Sequence, residues 1–305
     1  MRTRFAPSPT GPLHLGHAFA AMVAHDMALR EGGEFLLRIE DIDRQRSKPD
    51  WEAAIYDDLA WLGLAWETPV MRQSERLAAY SVALDDLWAR GLLYPCDCTR
   101  RDIAEALGAP QDGVDSGPDG PVYPGTCRDK DWPEFDAYAM RFFARPPHYS
   151  QRLRMWMAAG LSADDHFVGP PVRRVSTIAF KETGYGPNGE RGWIDTTTDH
   201  LTDRIGDVVL ARRDFGMSYH LCVVIDDAAQ GITDVTRGED LFEATRIHVV
   251  LQKLLQLPTP TYHHHALIRD ATGKRLAKRD DARSIRSYRA EGATPGDIRR
   301  LIGLG

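Results

Sequence analysis

Residues 4–40 read RFAPSPTGPLHLGHAFAAMVAHDMALREGGEFLLRIE. Pro7 and Pro9 stiffen an extended opening, and Gly11-Pro12 turns it. Apolar positions from Leu15 to Leu29 then recur at helical spacing until Gly32-Gly33 closes the segment. Residues 34–40 read as a buried strand ending in acid. Working outward, Ser47 followed by Pro49 opens a second helix through Leu62. A third runs from about Ser74 to Arg90, with Gly91 placed as its left-handed stop. Strands separated by helices predict a parallel α/β sheet, in which ligands sit at the carboxyl ends of the strands.

Beyond residue 100 the pattern loosens. Residues 109–121 (APQDGVDSGPDGP) form a Gly/Pro/Asp loop with no capacity to build a core. Residues 128–200 carry Trp132, Trp156 and Trp193 and are expected to fold, without a topology that the sequence assigns. Strand patterning returns at residues 207–210 and 221–225, a helix is expected at about 240–255, and a further strand at 262–268. Cys222 falls in the second of these apolar runs and reads as core.

The 305 residues suggest about two structural units. Hydrophobic residues at 43% and charged residues at 27% are the balance of a soluble globular protein. The net charge of −6 argues against a uniformly basic coat for nucleic acid, though not against a local basic face. No run approaches the ~18 apolar residues of a membrane span, and no signal-peptide core precedes the first prolines. Four cysteines, three of them within residues 96–127, suit a metal site in a reducing, cytoplasmic compartment better than a disulfide framework.

His14 and His17 stand three apart as the first helix begins, so both face the same way. Gly16 allows close approach of a flat ligand, and a helix N-terminus attracts polyphosphate. Two imidazoles there can donate to charge developing on a phosphoryl group. Taken alone, a His-x-x-His pair reads more readily as helix capping. With its Pro-Ser-Pro-Thr-Gly lead-in, the segment resembles the adenylate-binding signature of class I aminoacyl-tRNA synthetases, specifically their glutamyl/glutaminyl branch. That branch carries a second signature late in the chain, Lys-Met-Ser-Lys-Ser, and residues 273–279 (GKRLAKR) occupy the corresponding place. The first Lys aligns with Arg275, the Ser with Ala277 and the second Lys with Lys278. Cationic tips on such a loop can follow pyrophosphate as charge builds on it.

The resemblance implies a class I synthetase-type Rossmann catalytic domain with an inserted zinc-containing acceptor-type subdomain. Its expected division is 1–92 and 206–260 for the two halves of the catalytic domain and 93–205 for the insertion. Residues 261–305 would hold the basic loop and a short helical end, with no anticodon-binding domain. It also implies a glutamate pocket built from residues 4–8 (Arg4, Phe5, Ala6, Pro7 and Ser8), Glu40, Tyr219 and Arg237. An arginine fork can hold a side-chain carboxylate through two hydrogen bonds, Glu40 can take the α-ammonium, and Tyr219 can add a hydroxyl. An amide substrate would leave a buried guanidinium without charge compensation, so glutamate is expected over glutamine. His14, Gly16, His17, Arg275 and Lys278 would serve ATP and its Mg²⁺.

Cys96-Asp97-Cys98 and Tyr123-Pro-Gly-Thr-Cys127 present three thiols, a plausible start for tetrahedral zinc. The spacing resembles the Cys-x-Cys…Tyr-x-x-x-Cys site of the glutamyl-Q tRNA(Asp) synthetases, a truncated branch of the glutamyl enzymes. That likeness makes Tyr123 the fourth ligand of one structural zinc, and it makes the 109–121 loop longer than the branch usually has. It further implies activation of L-glutamate by ATP without tRNA, then transfer to queuosine at the wobble position, with the anticodon stem-loop of tRNA(Asp) docking on a monomeric enzyme. Only 26 residues follow Arg279, and a compact chain of this length has a radius of gyration of roughly 19 Å, too small to span both tips of a tRNA. Two other readings compete: a glutamyl-tRNA synthetase core charging a 3′ end, and a non-catalytic zinc-stabilised RNA-binding module. Three features read as weak. They are the His263–His265 run, a basic stripe at Arg279, Arg283 and Arg286, and Trp156 between two methionines.

Overall fold

The stretch that opened the sequence forms a strand–helix–strand unit. The structure is a computed structural model describing residues 1–108, 116–132, 145, 148–159, 178–213, 216–269 and 283–305. Strand β1 (Arg2–Phe5) leads through the proline segment into helix α1 (Leu15–Arg30) and back along β2 (Glu34–Ile39). The turn between α1 and β2 needs both glycines. Gly32 sits at φ +59°, and a Cβ on Gly33 would lie 2.0 Å from the Met1 carbonyl oxygen. Helix α2 (Pro49–Trp61) begins with its proline at the first turn, where a missing N–H costs nothing. Strand β3 (Glu67–Arg72) and a 3₁₀ turn at Gln73–Glu75 lead into α3 (Leu77–Ala89), stopped by Gly91 at φ +71°.

Next come β4 (Leu93–Cys96), α4 (Arg100–Ala106) and the hairpin β5 (Ser116–Gly117) and β6 (Gly120–Pro121). β7 (Ser150–Leu153) is followed by the short α5 (Met155–Ala158), then by the antiparallel pair β8 (Ile178–Glu182) and β9 (Gly192–Thr196). A π-helical turn, His200–Ile205, leads to β10 (Val209–Arg212) and β11 (Gly216–Met217). Then follow α6 (Tyr219–Ala229), β12 (Asp234–Gly238), α7 (Phe242–Leu254), β13 (Thr261–His265), α8 (Ile285–Ala290) and α9 (Pro295–Leu301).

β1, β2 and β3 pair in parallel, as do β12, β13 and β8. The two sets meet at β1 and β12, where the Thr233 N–H donates to the Arg2 carbonyl at 3.0 Å. The lateral order is therefore β3-β2-β1-β12-β13-β8-β9, with the chain winding one way from β1 and the other way from β12. Such a reversal opens a crevice at the carboxyl ends of its central strands. A second, antiparallel sheet in the order β11-β10-β7-β4 ends at Cys96 of β4.

Among the described residues, three buried clusters follow this division. One packs α1, α2 and β2 with Ile285, Ile298 and Ile302 of the C-terminal helices. A larger one joins α3, α6 and α7 to strands of both sheets. The smallest holds Tyr94, Cys96, Tyr123, Cys127 and Trp132. Each buried isoleucine of the C-terminal helices contributes about 1.5–3 kcal/mol. The half-exposed Arg289–Asp57 pair nearby contributes roughly 0–1, so burial decides how these helices dock.

Several expectations need correction. Residues 221–225 are not a strand but the middle of α6. Leu221 to Val224 are all buried, so the run has no polar face to reveal a helical period. Tyr219 consequently opens that helix rather than preceding a strand. The third helix starts at Leu77, not Ser74, and β3 was not foreseen. The strand at 207–210 begins at Val209, and that at 262–268 occupies Thr261–His265. No arginine stripe forms on α8: Arg283 precedes the helix, Arg286 turns to Asp57 and Asp58, and Arg279 lies outside the described residues.

Candidate active site and metal centre

His14 caps α1. Its Nδ1 accepts from the Gly16 N–H at 3.1 Å, while His17 Nδ1 accepts from the His14 N–H at 3.2 Å. Both Nδ1 atoms are thus acceptors, which places the proton of each neutral ring on Nε2. The rings lie 3.8 Å apart between centroids. Capping and phosphate binding are therefore not alternatives here, because the cap fixes the tautomer that makes each histidine a donor. No acidic side chain occupies the first turn of α1 to offset its positive end. Arg275, Ala277 and Lys278 lie outside the described residues, but the chain re-enters beside this helix start. Ser284 bridges to His14, and the Ile285 N–H donates to the Leu13 carbonyl at 2.8 Å.

The residues expected to bind the amino acid are placed as follows. Glu40 is tied to the proline segment by its N–H to the Pro7 carbonyl at 3.0 Å, with Ala6 half-buried and Ser8 exposed. Phe5, Arg4 and Arg237 are buried, and Tyr219 is half-buried. The two arginines are treated differently. Arg4 is neutralised directly: its Nε and Nη2 donate to Asp227 at 3.0 and 3.2 Å. Arg237 touches no carboxylate among the described residues. Its Nε faces His264 Nε2 at 3.3 Å, its Nη1 faces His248 Nδ1 at 3.0 Å, and its Nη2 donates to Thr245 Oγ1. Burial, helped by the neighbouring guanidinium, holds His248 well below the usual imidazole range, so it stays neutral. Among the described residues no carboxylate therefore offsets Arg237 at hydrogen-bond distance.

Burial pushes the Glu40 carboxyl up to about 7 against the opposing pull of Arg38 and Arg4. Burial also raises the Tyr219 phenol, against the opposing pull of Arg237, so it is a neutral hydroxyl.

At the end of β4 the three sulfurs of Cys96, Cys98 and Cys127 lie within 4.8 Å of one another. Tyr123 Oη is 3.6 Å from Cys96 Sγ and 3.4 Å from Cys98 Sγ, and it accepts from the Cys127 N–H at 2.8 Å. Three soft donors and one oxygen, converging in a buried cluster, fit a closed four-coordinate ion of the zinc type. Burial opposes a thiolate at Cys96, yet the Arg152 guanidinium, 3.2 Å from Sγ, outweighs it and lowers that thiol. Arg152 also stacks 3.7 Å from the centre of the Tyr123 ring. Without a metal, burial pushes Cys127 up to about 12 and the Tyr123 phenol far above its ordinary range. The tyrosine becomes an anionic ligand only if a cation compensates it. The histidine run is no such site: His264 is buried on Glu182, and alternate residues of β13 face opposite ways.

With this geometry in view, comparison with known proteins is decisive. The chain matches the catalytic-domain family of class I tRNA synthetases (E and Q) over residues 1–118 and 191–304. A glutamyl-Q tRNA(Asp) synthetase of Rhodobacter capsulatus is 60% identical over 304 residues, covering all of both chains. The chain belongs to the glutamyl-Q tRNA(Asp) synthetase family. A relative of the same name from Nitratidesulfovibrio vulgaris is 38% identical, covering all of this chain and 86% of that one. Among solved structures, a glutamate tRNA ligase of Elizabethkingia meningosepticum, in complex with its amino acid, superposes with a TM-score of 0.71 at 27% identity. It covers all of this chain, which spans only 61% of that one. A Mycobacterium tuberculosis methionyl-tRNA synthetase, at 10% identity and a TM-score of 0.56, shares the fold. The protein is a class I synthetase-type ligase.

Sequence reasoning missed the residues that hold the candidate pocket residues in place. Asp226 and Asp227, adjacent on α6, anchor two sets of partners. Asp226 receives Gln73, Arg76 and Tyr80, while Asp227 receives Arg4 and Arg38. Arg38 is fully buried in β2 and also reaches Glu40 at 3.4 Å. An acidic doublet ending an apolar run, and an arginine inside a buried strand, were signals that buried charges needed partners. His248, Thr245 and the His264–Glu182 pair carried none.

Proposed function

We propose that this protein activates L-glutamate with ATP in the absence of tRNA and transfers the glutamyl group to queuosine at the wobble position of tRNA(Asp). The reading is carried by full-length likeness, at 60% identity, to a glutamyl-Q tRNA(Asp) synthetase. The pocket supports glutamate, because a buried Arg237 with no carboxylate partner among the described residues favours an acidic side chain over its amide. In the first step the α-carboxylate of glutamate attacks the α-phosphorus of ATP in line, and pyrophosphate leaves. His14 and His17 donate from Nε2 to the phosphate oxygens, and Lys278 and Arg275 stabilise the departing charge. Mg²⁺ would supply further neutralisation of the phosphates. Glu40 holds the α-ammonium, with Tyr219 beside it. In the second step a hydroxyl of the queuosine cyclopentenediol attacks the mixed anhydride, releasing AMP.

We assign Cys96, Cys98, Tyr123 and Cys127 to one structural zinc, which pins the sheet that receives the anticodon stem-loop. The division at 1–92, 93–205, 206–260 and 261–305 is part of this reading, as is a monomer working in the cytoplasm. All four cysteines are unpaired thiols, in keeping with a reducing compartment. Among the described residues no helix is long and apolar enough to cross a membrane.

The test is ATP–pyrophosphate exchange followed by transfer. Exchange should require glutamate and be indifferent to added tRNA, and transfer should succeed with queuosine-containing but not queuosine-lacking tRNA(Asp). Charging of a 3′ end instead would overturn the acceptor. Lys278→Ala should lower exchange by about 10²–10³, the scale of losing one charge-stabilising donor. Unchanged exchange would remove Lys278 from the site.

A further inference from the structure

The Gly/Pro/Asp-rich loop at 109–121 reaches back, at its described end, toward Arg237. Its described end is the hairpin β5–β6, with Pro118 and Asp119 at the tip and Gly120 at φ +102°. Gly117 presses so close to the π-helical turn that a Cβ there would lie 2.9 Å from the Arg204 carbonyl oxygen. The hairpin is therefore seated rather than loose. Asp119 Oδ1 stands 3.0 Å from His220 Nε2, His220 Nδ1 stands 3.0 Å from His248 Nε2, and His248 Nδ1 stands 3.0 Å from Arg237 Nη1.

The protons of this chain are determined from one end. A guanidinium only donates, so His248 Nδ1 must accept and its proton sits on Nε2. That proton is donated to His220 Nδ1, which leaves the proton of His220 on Nε2, pointing at Asp119. Every contact is then a donor meeting an acceptor, with the charges at the two ends and neutral rings between them. The side chains of His220 and His248 are buried, while that of Asp119 is 44% exposed at the rim of a cavity of about 490 Å³ bounded by the cysteine-bearing sheet.

We propose that Asp119, through His220 and His248, is a positioning element for glutamate. It fixes the plane and rotamer of Arg237 so that the guanidinium meets the substrate's side-chain carboxylate without reorganising. The inference rests on Arg237 reading that carboxylate. Partners behind a binding residue commonly govern affinity in this way, because an unheld side chain must be ordered at the moment of binding.

The experiment uses the full-length protein in tRNA-independent exchange. Asp119 lies at the surface, so its replacement should leave the core folded, verified by an unchanged thermal midpoint. Asp119→Ala should raise the KM for glutamate about three- to tenfold, the effect of losing one hydrogen bond, with kcat and the KM for ATP unchanged. Asp119→Asn keeps an acceptor oxygen and should restore most of the loss. His248→Ala should give a larger rise in the KM for glutamate and a smaller preference for glutamate over glutamine. A parental KM for glutamate in Asp119→Ala, or an equal change in the KM for ATP, overturns the proposal. Absence of glutamate-dependent exchange in the parent protein would instead overturn the functional reading itself.

Discussion

Glu40 shows how much a single residue's surroundings decide. Its carboxyl lies in the pocket with Arg38 and Arg4 close by, yet burial dominates and lifts it to about 7. A carboxyl raised this far binds a proton as the pH falls through neutrality, and the protonated form cannot hold an ammonium by charge. The KM for glutamate should therefore rise as the pH is lowered from about 8.5 to 6, and Glu40→Gln should flatten that dependence at a uniformly high KM. Measuring exchange across this range checks both; a pH-independent parental KM would show that Glu40 does not take the ammonium. Arg4 and Arg237 make the same point in opposite directions. Their residue type is identical and their burial similar, but Asp227 cancels one charge and imidazoles leave the other standing.

At the scale of elements, the turn from α1 to β2 is a tight constraint on the parallel sheet. A methyl on Gly33 would collide with backbone at Met1, and backbone cannot swing aside as a flexible side chain can. Gly33→Ala should destabilise the protein by about 1–3 kcal/mol, seen as a lower urea midpoint with an unchanged slope. An unaltered midpoint would mean that β1 and β2 can shift freely. This unit was also the most legible part of the sequence, because prolines and Gly11-Pro12 mark its entry and Gly32-Gly33 marks its stop. Legibility failed where an element is buried all round or interrupted. The run from Leu221 to Val224 shows no period inside α6, and Pro69 in β3 argues against a strand unless it lies at a sheet edge, as this one does. The site was legible where motifs are contiguous, as at His14 and His17. It was opaque where partners such as Asp119, His220 and His248 are brought together only by the fold.

For the molecule as a whole, the three separate buried clusters among the described residues imply that damage in one need not reach the others. The cysteine cluster is the smallest of them, and it is the one to which a zinc is assigned above. Metal analysis should find one zinc per chain, and Cys98→Ser should lose it and lower the thermal midpoint. Glutamate activation should survive in that variant while transfer to tRNA(Asp) falls several-fold. Equal loss of both steps would mean that the metal centre supports the catalytic sheet as well.

The contact between β1 and β12 joins Arg2 to Thr233, partners 231 positions apart. A ribosome elongating at roughly 5–20 residues per second delivers the first of these strands about 10–50 s before the second leaves the exit tunnel. During that interval the nascent polypeptide carries β1 without the β12 neighbour it meets in the folded sheet. The strand made first therefore waits for its neighbour to be translated.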